Sequence, residues 1–217
     1  MQGAILQLNV TDDPVANLEV TRELLAQAVA EGAEFVLTPE VTNCISTSGR
    51  HQRDVLQLQE DDITLAALRR DAQAAGVWLL IGSLGLKTGD ADGRFANRCF
   101  LIDSQGEIAA WYDKIHMFDV EISPEETWRE SDAYRPGQGA VVGQTPFGTV
   151  GLSMCYDVRF PMLHQALTDA GAQIITVPAA FSPVTGEAHR HTLLRARAIE
   201  TGSYVIEPAQ TGTHASS

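Results

Sequence analysis

The chain reads as an α/β protein built on a mixed sheet, and three observations predict this. Strand and helix signals alternate along its length without a linker, repeat or low-complexity block. In the middle, residues 97 to 103 (NRCFLID) and 107 to 112 (EIAAWY) are strand-like runs separated only by SQG, the signature of an antiparallel hairpin. The 217 residues are 44% apolar and 20% charged, ordinary for a chain that buries a substantial core, here as one domain over residues 1–217.

The elements follow in order. Residues 3 to 10 are a short apolar run and a first strand. Asp12 or Asp13 caps a helix with Pro14 in its first turn, where a missing N–H costs nothing. Leu18, Leu25 and Val29 recur on one face, and Gly32 supplies a left-handed stop. EFVLT at 34 to 38 is a second strand, ended by Pro39. Asp61 and Asp62 open a helix that runs through Leu65 and Leu68 to Gly76. The unbroken apolar run VWLLIGSL at 77 to 84 predicts a strand buried on both faces. After the hairpin, residues 119 to 140 form a long polar stretch with Pro124 and Pro136, read as a functional loop. A strand ending VGLSM at 150 to 154 comes next, then a helix from near Pro161, the strand QIITVP at 173 to 178, a helix over 187 to 201 and the strand SYVIEPA from 203. The polar ending TGTHASS adds no closing element, so the sequence reads as C-terminally truncated.

Charge narrows the function. Fifteen basic against twenty-eight acidic residues leave a net charge of −13, a field that repels phosphate backbones and anionic lipid headgroups and argues against nucleic-acid and membrane partners. No apolar run approaches the ~20 residues that span a bilayer, and MQGAILQLNV has no basic leader region. Three cysteines without framework spacing point to a reducing, cytoplasmic setting. His189 and His191 are two apart and face different sides of a helix, so no metal site is expected, and no cofactor.

The sharpest local signal is GLSMCYDVRFP at 151 to 161. Cys155 directly follows a buried strand and precedes a helix, where helix N–H groups and the dipole favour thiolate below the ordinary ~8.5 and could hold an oxyanion. A cysteine that merely ends a strand is the competing reading. Cys99, beside Phe100 and Leu101, belongs to the core; Cys44 suits packing or a pocket wall. A nucleophilic thiol needs a proton acceptor. None of the six histidines has a protease context, whereas Glu40 lies just past the buried strand EFVLT, where α/β sites collect. Lys114 ends the hairpin strand, either as a solvated charge or as a fixed cation facing the thiolate.

PEVTNC at 39 to 44, YDKIHMFDVEI at 112 to 122, RES at 129 to 131 and MCYDVRFP at 154 to 161 resemble the nitrilase superfamily of carbon–nitrogen hydrolases, in order and spacing. TGEAH at 185 to 189 and LLRARAIETGSYV at 193 to 205 extend the resemblance over nearly the whole chain, with wording similar to its amidase branch. The resemblance implies a four-layer α-β-β-α sandwich that forms homodimers or higher homo-oligomers, here with its C-terminal strands missing. It implies a cysteine-dependent amidase that opens the amide of a small carboxylic acid through a thioester and releases ammonia. Cys155 would be the nucleophile, Glu40 the general base, Lys114 and the N–H of Tyr156 the oxyanion donors, and Glu130 a second glutamate that orients them. Phe118, Asp157, Arg159, Ala180 and Phe181 would surround the substrate, with Arg159 suited to a carboxylate or to a salt bridge with Asp157 or Glu130. Two positions depart from the pattern: Arg190 stands where the branch usually has tryptophan, and Glu207 where a small apolar residue is expected. A charge on a central strand is costly unless paired, and these two could pair. An isochorismatase-like cysteine hydrolase would use similar groups, but on a parallel sheet that the hairpin opposes. A truncated, non-catalytic homologue that binds a partner is the remaining alternative.

Overall fold

The computed structural model describes residues 1–123 and 126–214. Pro124 and the last three residues of the polar tail lie outside them. The first half contains β1 (Gly3–Ile5), α1 (Pro14–Ala30), β2 (Phe35–Leu37), α2 (Gly49–Val55), α3 (Ile63–Ala75), β3 (Trp78–Lys87), β4 (Phe95–Ile102) and β5 (Ile108–Asp113). Their five strands form one sheet in the order β1-β2-β3-β4-β5. β1, β2 and β3 are parallel, while β4 and β5 return antiparallel. That mixed sheet is what the SQG hairpin predicts, and it excludes the all-parallel alternative.

The stops and starts follow the capping residues. Asp13 accepts from the N–H groups of Val15 and Ala16, Asp62 from that of Leu65, and Gly76 closes α3 at φ +68°. Between the halves lie β6 (Asp119–Ser123), β7 (Glu126–Arg129) and α4 (Glu130–Ala133), then β8 (Val141–Thr145). The stretch read as a loop therefore holds an antiparallel two-stranded hairpin. Its strands are short and outside both main sheets, which is why their polarity reads as loop. After β9 (Gly148–Leu152), a 3-10 turn over Cys155–Arg159 leads into α5 (Pro161–Asp169), β10 (Ile174–Thr176), α6 (Pro183–Thr201) and β11 (Tyr204–Ile206). The second sheet runs β11-β10-β9-β8, parallel except for β8. α6 begins four residues earlier than the sequence predicts, with a proline in its first turn.

Side-chain alternation sets the layers. Val36, Leu79, Ile81, Phe100 and Ile102 face one way and pack with Leu25 of α1 and Leu65, Leu68 and Ala72 of α3. Phe35, Leu37, Leu80, Cys99 and Leu101 face the other way, into a core shared with Val150, Leu152 and Ile175 of the second sheet. Gly143 on β8 approaches the first sheet so closely that a Cβ there would meet the Leu101 side chain at 2.4 Å. Gly151, between Val150 and Leu152, faces the opposite way, towards Leu167 of α5. The order is helices, sheet, sheet, helices. Burial along β3 covers both faces, as its unbroken apolar run predicts.

Candidate active site

Two sharp corners face each other at the C-terminal ends of β2 and β9. At the first, Thr38 to Thr42 leave β2 in a bend fixed by short bonds. The Thr38 hydroxyl accepts from the Gly82 N–H (2.9 Å) and pairs with the Thr42 hydroxyl (2.7 Å), and the Val41 N–H donates to Ser83 Oγ (2.7 Å). Val41 sits at φ +51°, rare for a β-branched residue. Gly82 is required here, since a Cβ would lie 2.1 Å from the Thr38 carbonyl oxygen and 2.6 Å from Pro178 Cβ. The bend turns Glu40 inward. At the second corner Cys155 sits at φ +46°, its N–H donating to the Pro178 carbonyl at 2.9 Å.

Lys114, at the end of β5, stands between the carboxylates, fully buried. Its ammonium donates to Glu40 Oε1 at 3.0 Å and to Glu130 Oε2 and Oε1 at 2.8 and 3.0 Å. Asn97 Nδ2 on the adjacent strand donates to Glu40 Oε1 at 3.0 Å and to Glu130 Oε1 at 3.4 Å, while its carbonyl receives the Lys114 N–H. The other oxygen of Glu40 accepts from the Ala180 N–H at 2.9 Å, and Glu130 Oε2 accepts from the Phe118 N–H at 2.7 Å. Gln210 Nε2 donates to the Glu40 carbonyl at 2.9 Å. Burial alone would weaken the ammonium, but Glu40 and Glu130 outweigh it and hold Lys114 well above its usual range.

The Cys155 thiol lies by the Glu40 carboxylate and the Ala180 N–H, within the field of the Lys114 ammonium. Burial, then the Glu40 charge, push it well above the ordinary thiol value, with Lys114 and the Ala180 N–H pulling the other way. This corrects the expectation that a helix N-terminus lowers it. The residues after Cys155 form a 3-10 turn, not the start of an α-helix, and burial beside a carboxylate disfavours the thiolate. The resting group is a thiol next to the Glu40 carboxylate.

Glu40, Asn97, Lys114, Glu130 and Cys155 all line a cavity of about 370 Å³. Phe118, Tyr156, Arg159, Ala180 and Phe181 line it too, as the sequence predicts. Tyr156 meets Phe118 edge-on with ring centres 5.2 Å apart. Arg159 pairs with neither Asp157 nor Glu130: its guanidinium donates to His189 Nδ1 at 3.1 Å and lies 5.7 Å from the Tyr156 ring centre. Asp157 is a correction. It is fully buried behind the Cys155 turn, where Met154, Tyr112 and His116 bond to it, and it does not line the cavity. Its aspartate sits between Tyr156 and Arg159 in sequence, but the turn points it the opposite way. Cys44 resolves as both packed and pocket wall, and Cys99 as core. Sequence reasoning misses Asn97, whose signal is a polar residue inside the buried strand FANRCFLI, as well as Trp128 in the cavity wall and Gln210, which carry no local signal.

A buried thiol, a carboxylate acceptor and a fixed ammonium around one cavity define a site equipped for nucleophilic attack on a polarised carbon. The chain belongs to the carbon–nitrogen hydrolase family, whose model matches residues 3–217. It is 41% identical to the deaminated glutathione amidase of Yersinia enterocolitica over 97% of this chain and 73% of that protein. It spans 65% of the length of the rat deaminated glutathione amidase. Among solved structures, the NitFhit protein of C. elegans superposes with a TM-score of 0.90 at 35% identity, over 98% of this chain and 51% of that one. A variant of an amidase from Nesterenkonia sp. AN1, with acrylamide added at its active-site cysteine, superposes with a TM-score of 0.79 at 26% identity, over 97% and 78%.

Proposed function

We propose that residues 1–217 act as one amidase domain that hydrolyses a small linear amide through a thioester on Cys155. The observation that carries this is a buried thiol that shares one cavity with Glu40 and Lys114 and feels both of their charges. The Cys155 proton passes to Glu40 as Sγ attacks the carbonyl carbon. The oxygen, now negative, is held by the Lys114 ammonium and the Tyr156 N–H, a pre-placed positive environment of the kind that contributes about 10²–10³-fold per donor. Collapse expels the amine, ammonia from a primary amide, which leaves with the proton from Glu40. Water then gives a proton to Glu40 and its oxygen to the thioester, and the acid departs as the thiol is restored. Glu130 takes two further bonds from the Lys114 ammonium and Asn97 donates to both carboxylates, so the Lys114–Glu40 pair is held within a wider network.

The aromatic walls and Arg159 suit an amide whose far end carries a carboxylate, which the planar guanidinium fork recognises well. Deaminated glutathione, after which the Yersinia relative is named, is the first candidate. Met162 on α5, Ile199 on α6 and Tyr204 on the outer strand β11 stand largely exposed, apolar surface suited to pairing two copies into a homodimer. The three cysteines are free thiols, in keeping with a cytoplasmic, reducing setting.

The test is a panel of amides, primary ones followed by ammonia release and substituted ones by amine release, with Cys155→Ala as control. Turnover that falls at least about 10³-fold in Cys155→Ala is expected. A folded parent that hydrolyses nothing, with Cys155 inert to iodoacetamide, would instead mark a binding homologue.

A further inference from the structure

Behind Cys155 lies a second cluster, around Asp157, whose members do not line the cavity of the candidate site. Asp157 is fully buried, and each of its oxygens accepts two bonds. Oδ2 receives the Tyr112 hydroxyl at 2.7 Å and the Met154 N–H at 2.9 Å. Oδ1 receives the His116 N–H at 3.1 Å and His116 Nδ1 at 2.6 Å. The Tyr112 hydroxyl in turn accepts from the Ile115 N–H at 3.2 Å, and the His116 ring stacks on Phe160 with centres 3.6 Å apart. In sequence these donors bracket the reacting groups: Tyr112 and His116 lie two residues either side of Lys114, and Met154 immediately precedes Cys155.

We propose that Asp157 is a positioning residue, a buried carboxylate that ties the Lys114 corner to the Cys155 turn and so sets the spacing of ammonium and sulfur. The inference rests on the amidase reading above. Four donors on two oxygens can be satisfied only by a carboxylate. An asparagine in its place has one oxygen, and its NH2 must face two former donors. The Tyr112 hydroxyl can rotate to accept, and a neutral His116 ring can too, but the backbone N–H of Met154 or of His116 cannot. Whichever way the amide turns, one backbone N–H beside a reacting group is left facing another donor, and the corner shifts to relieve it. The left-handed backbone at Cys155 has little freedom to absorb such a shift without moving the sulfur.

Asp157→Asn is therefore expected to lower kcat about 100-fold, the scale of an ångström-sized misplacement. KM should stay within roughly threefold, since no cavity contact is lost. Cys155 alkylation by iodoacetamide should change rate in the same variant, and this reads Asp157 whether or not a substrate is in hand. A cooperative unfolding transition establishes that the variant is folded. Should it fail to fold, the pair His116→Ala and His116→Asn carries the test. The asparagine amide can donate where Nδ1 did, so it should recover most of the activity that alanine loses. A parent without turnover overturns the amidase reading alone. An active parent with Asp157→Asn within threefold in kcat and unchanged in alkylation, or with His116→Asn no better than His116→Ala, overturns the positioning role.

Discussion

Cys155 combines two features that pull against its own reactivity, a left-handed backbone at φ +46° and a thiol driven up by burial and by Glu40. Both make sense if the sulfur is to lose its proton only during attack, straight to the adjacent carboxylate. Glu40 is then both the acceptor and one cause of the raised thiol, which gives a signed prediction. Glu40→Gln removes the anion and leaves Lys114 in place, so the thiolate should appear at lower pH. The rise of Cys155 alkylation with pH, followed by mass spectrometry, should move to lower pH in the variant. Amide turnover should meanwhile fall about 10²–10⁴-fold, the usual loss on deleting a general base. A more readily ionised cysteine in a slower enzyme is the expected pairing. An alkylation curve that stays where the parent's lies would show that Glu40 does not act on the sulfur.

At the scale of elements, α6 and the end of β11 are joined by Arg190 and Glu207. Arg190 Nε donates to both oxygens of Glu207, at 2.7 and 2.6 Å, and its Nη2 to Oε2. Burial raises the Glu207 carboxyl while Arg190 acts to lower it. Arg190 remains about a third exposed, so a coupling of about 1 kcal/mol is expected from Arg190→Ala, Glu207→Ala and the double variant in urea unfolding. Additive losses would mean that the pair contributes nothing. This contact was legible in the sequence because a buried carboxylate demands a partner. So were β3, from its apolar run, and α1 and α3, from their capping aspartates and terminal glycines. The hairpin of β6 and β7 was not, because its residues are half-solvated and lack the clean alternation of a packed strand. In the site, Glu40, Lys114, Glu130 and Cys155 were legible from motifs whose order mirrors their convergence. Asp157 was misread because sequence proximity to the nucleophile says nothing about which side of a 3-10 turn a side chain leaves from. Asn97 and Gln210 went unread because their partners lie 57 and 170 residues away.

Over the whole molecule, acid acts in two opposing ways. The net charge of −13 shrinks towards the pI near 4.7, which relieves self-repulsion and favours the folded state. His164 works the other way. It is fully buried on α5, with Nδ1 bonded to the Phe160 carbonyl at 3.1 Å and Nε2 without a partner among the described residues. Burial lowers its titration below the ordinary 6.5, with Arg197 adding to the effect and the Phe160 carbonyl, Asp157 and Glu200 opposing it. In the window beneath 6.5 the unfolded chain binds a proton that the folded chain refuses. The stability held by the neutral ring is therefore complete above about pH 6.5 and is lost as pH falls through the lowered folded value, with a slope of at most about 1.4 kcal/mol per pH unit. His164→Gln removes this proton and leaves the relief of surface charge untouched. Urea midpoints measured from pH 7.5 down to 5 should fall for the parent and fall less, or rise, for the variant. The gap between the two curves isolates His164, because every other titrating group is common to both. If the two curves run parallel, the ring is not held neutral in the fold, and the acid sensitivity of the molecule must come from its other histidines or its carboxylates.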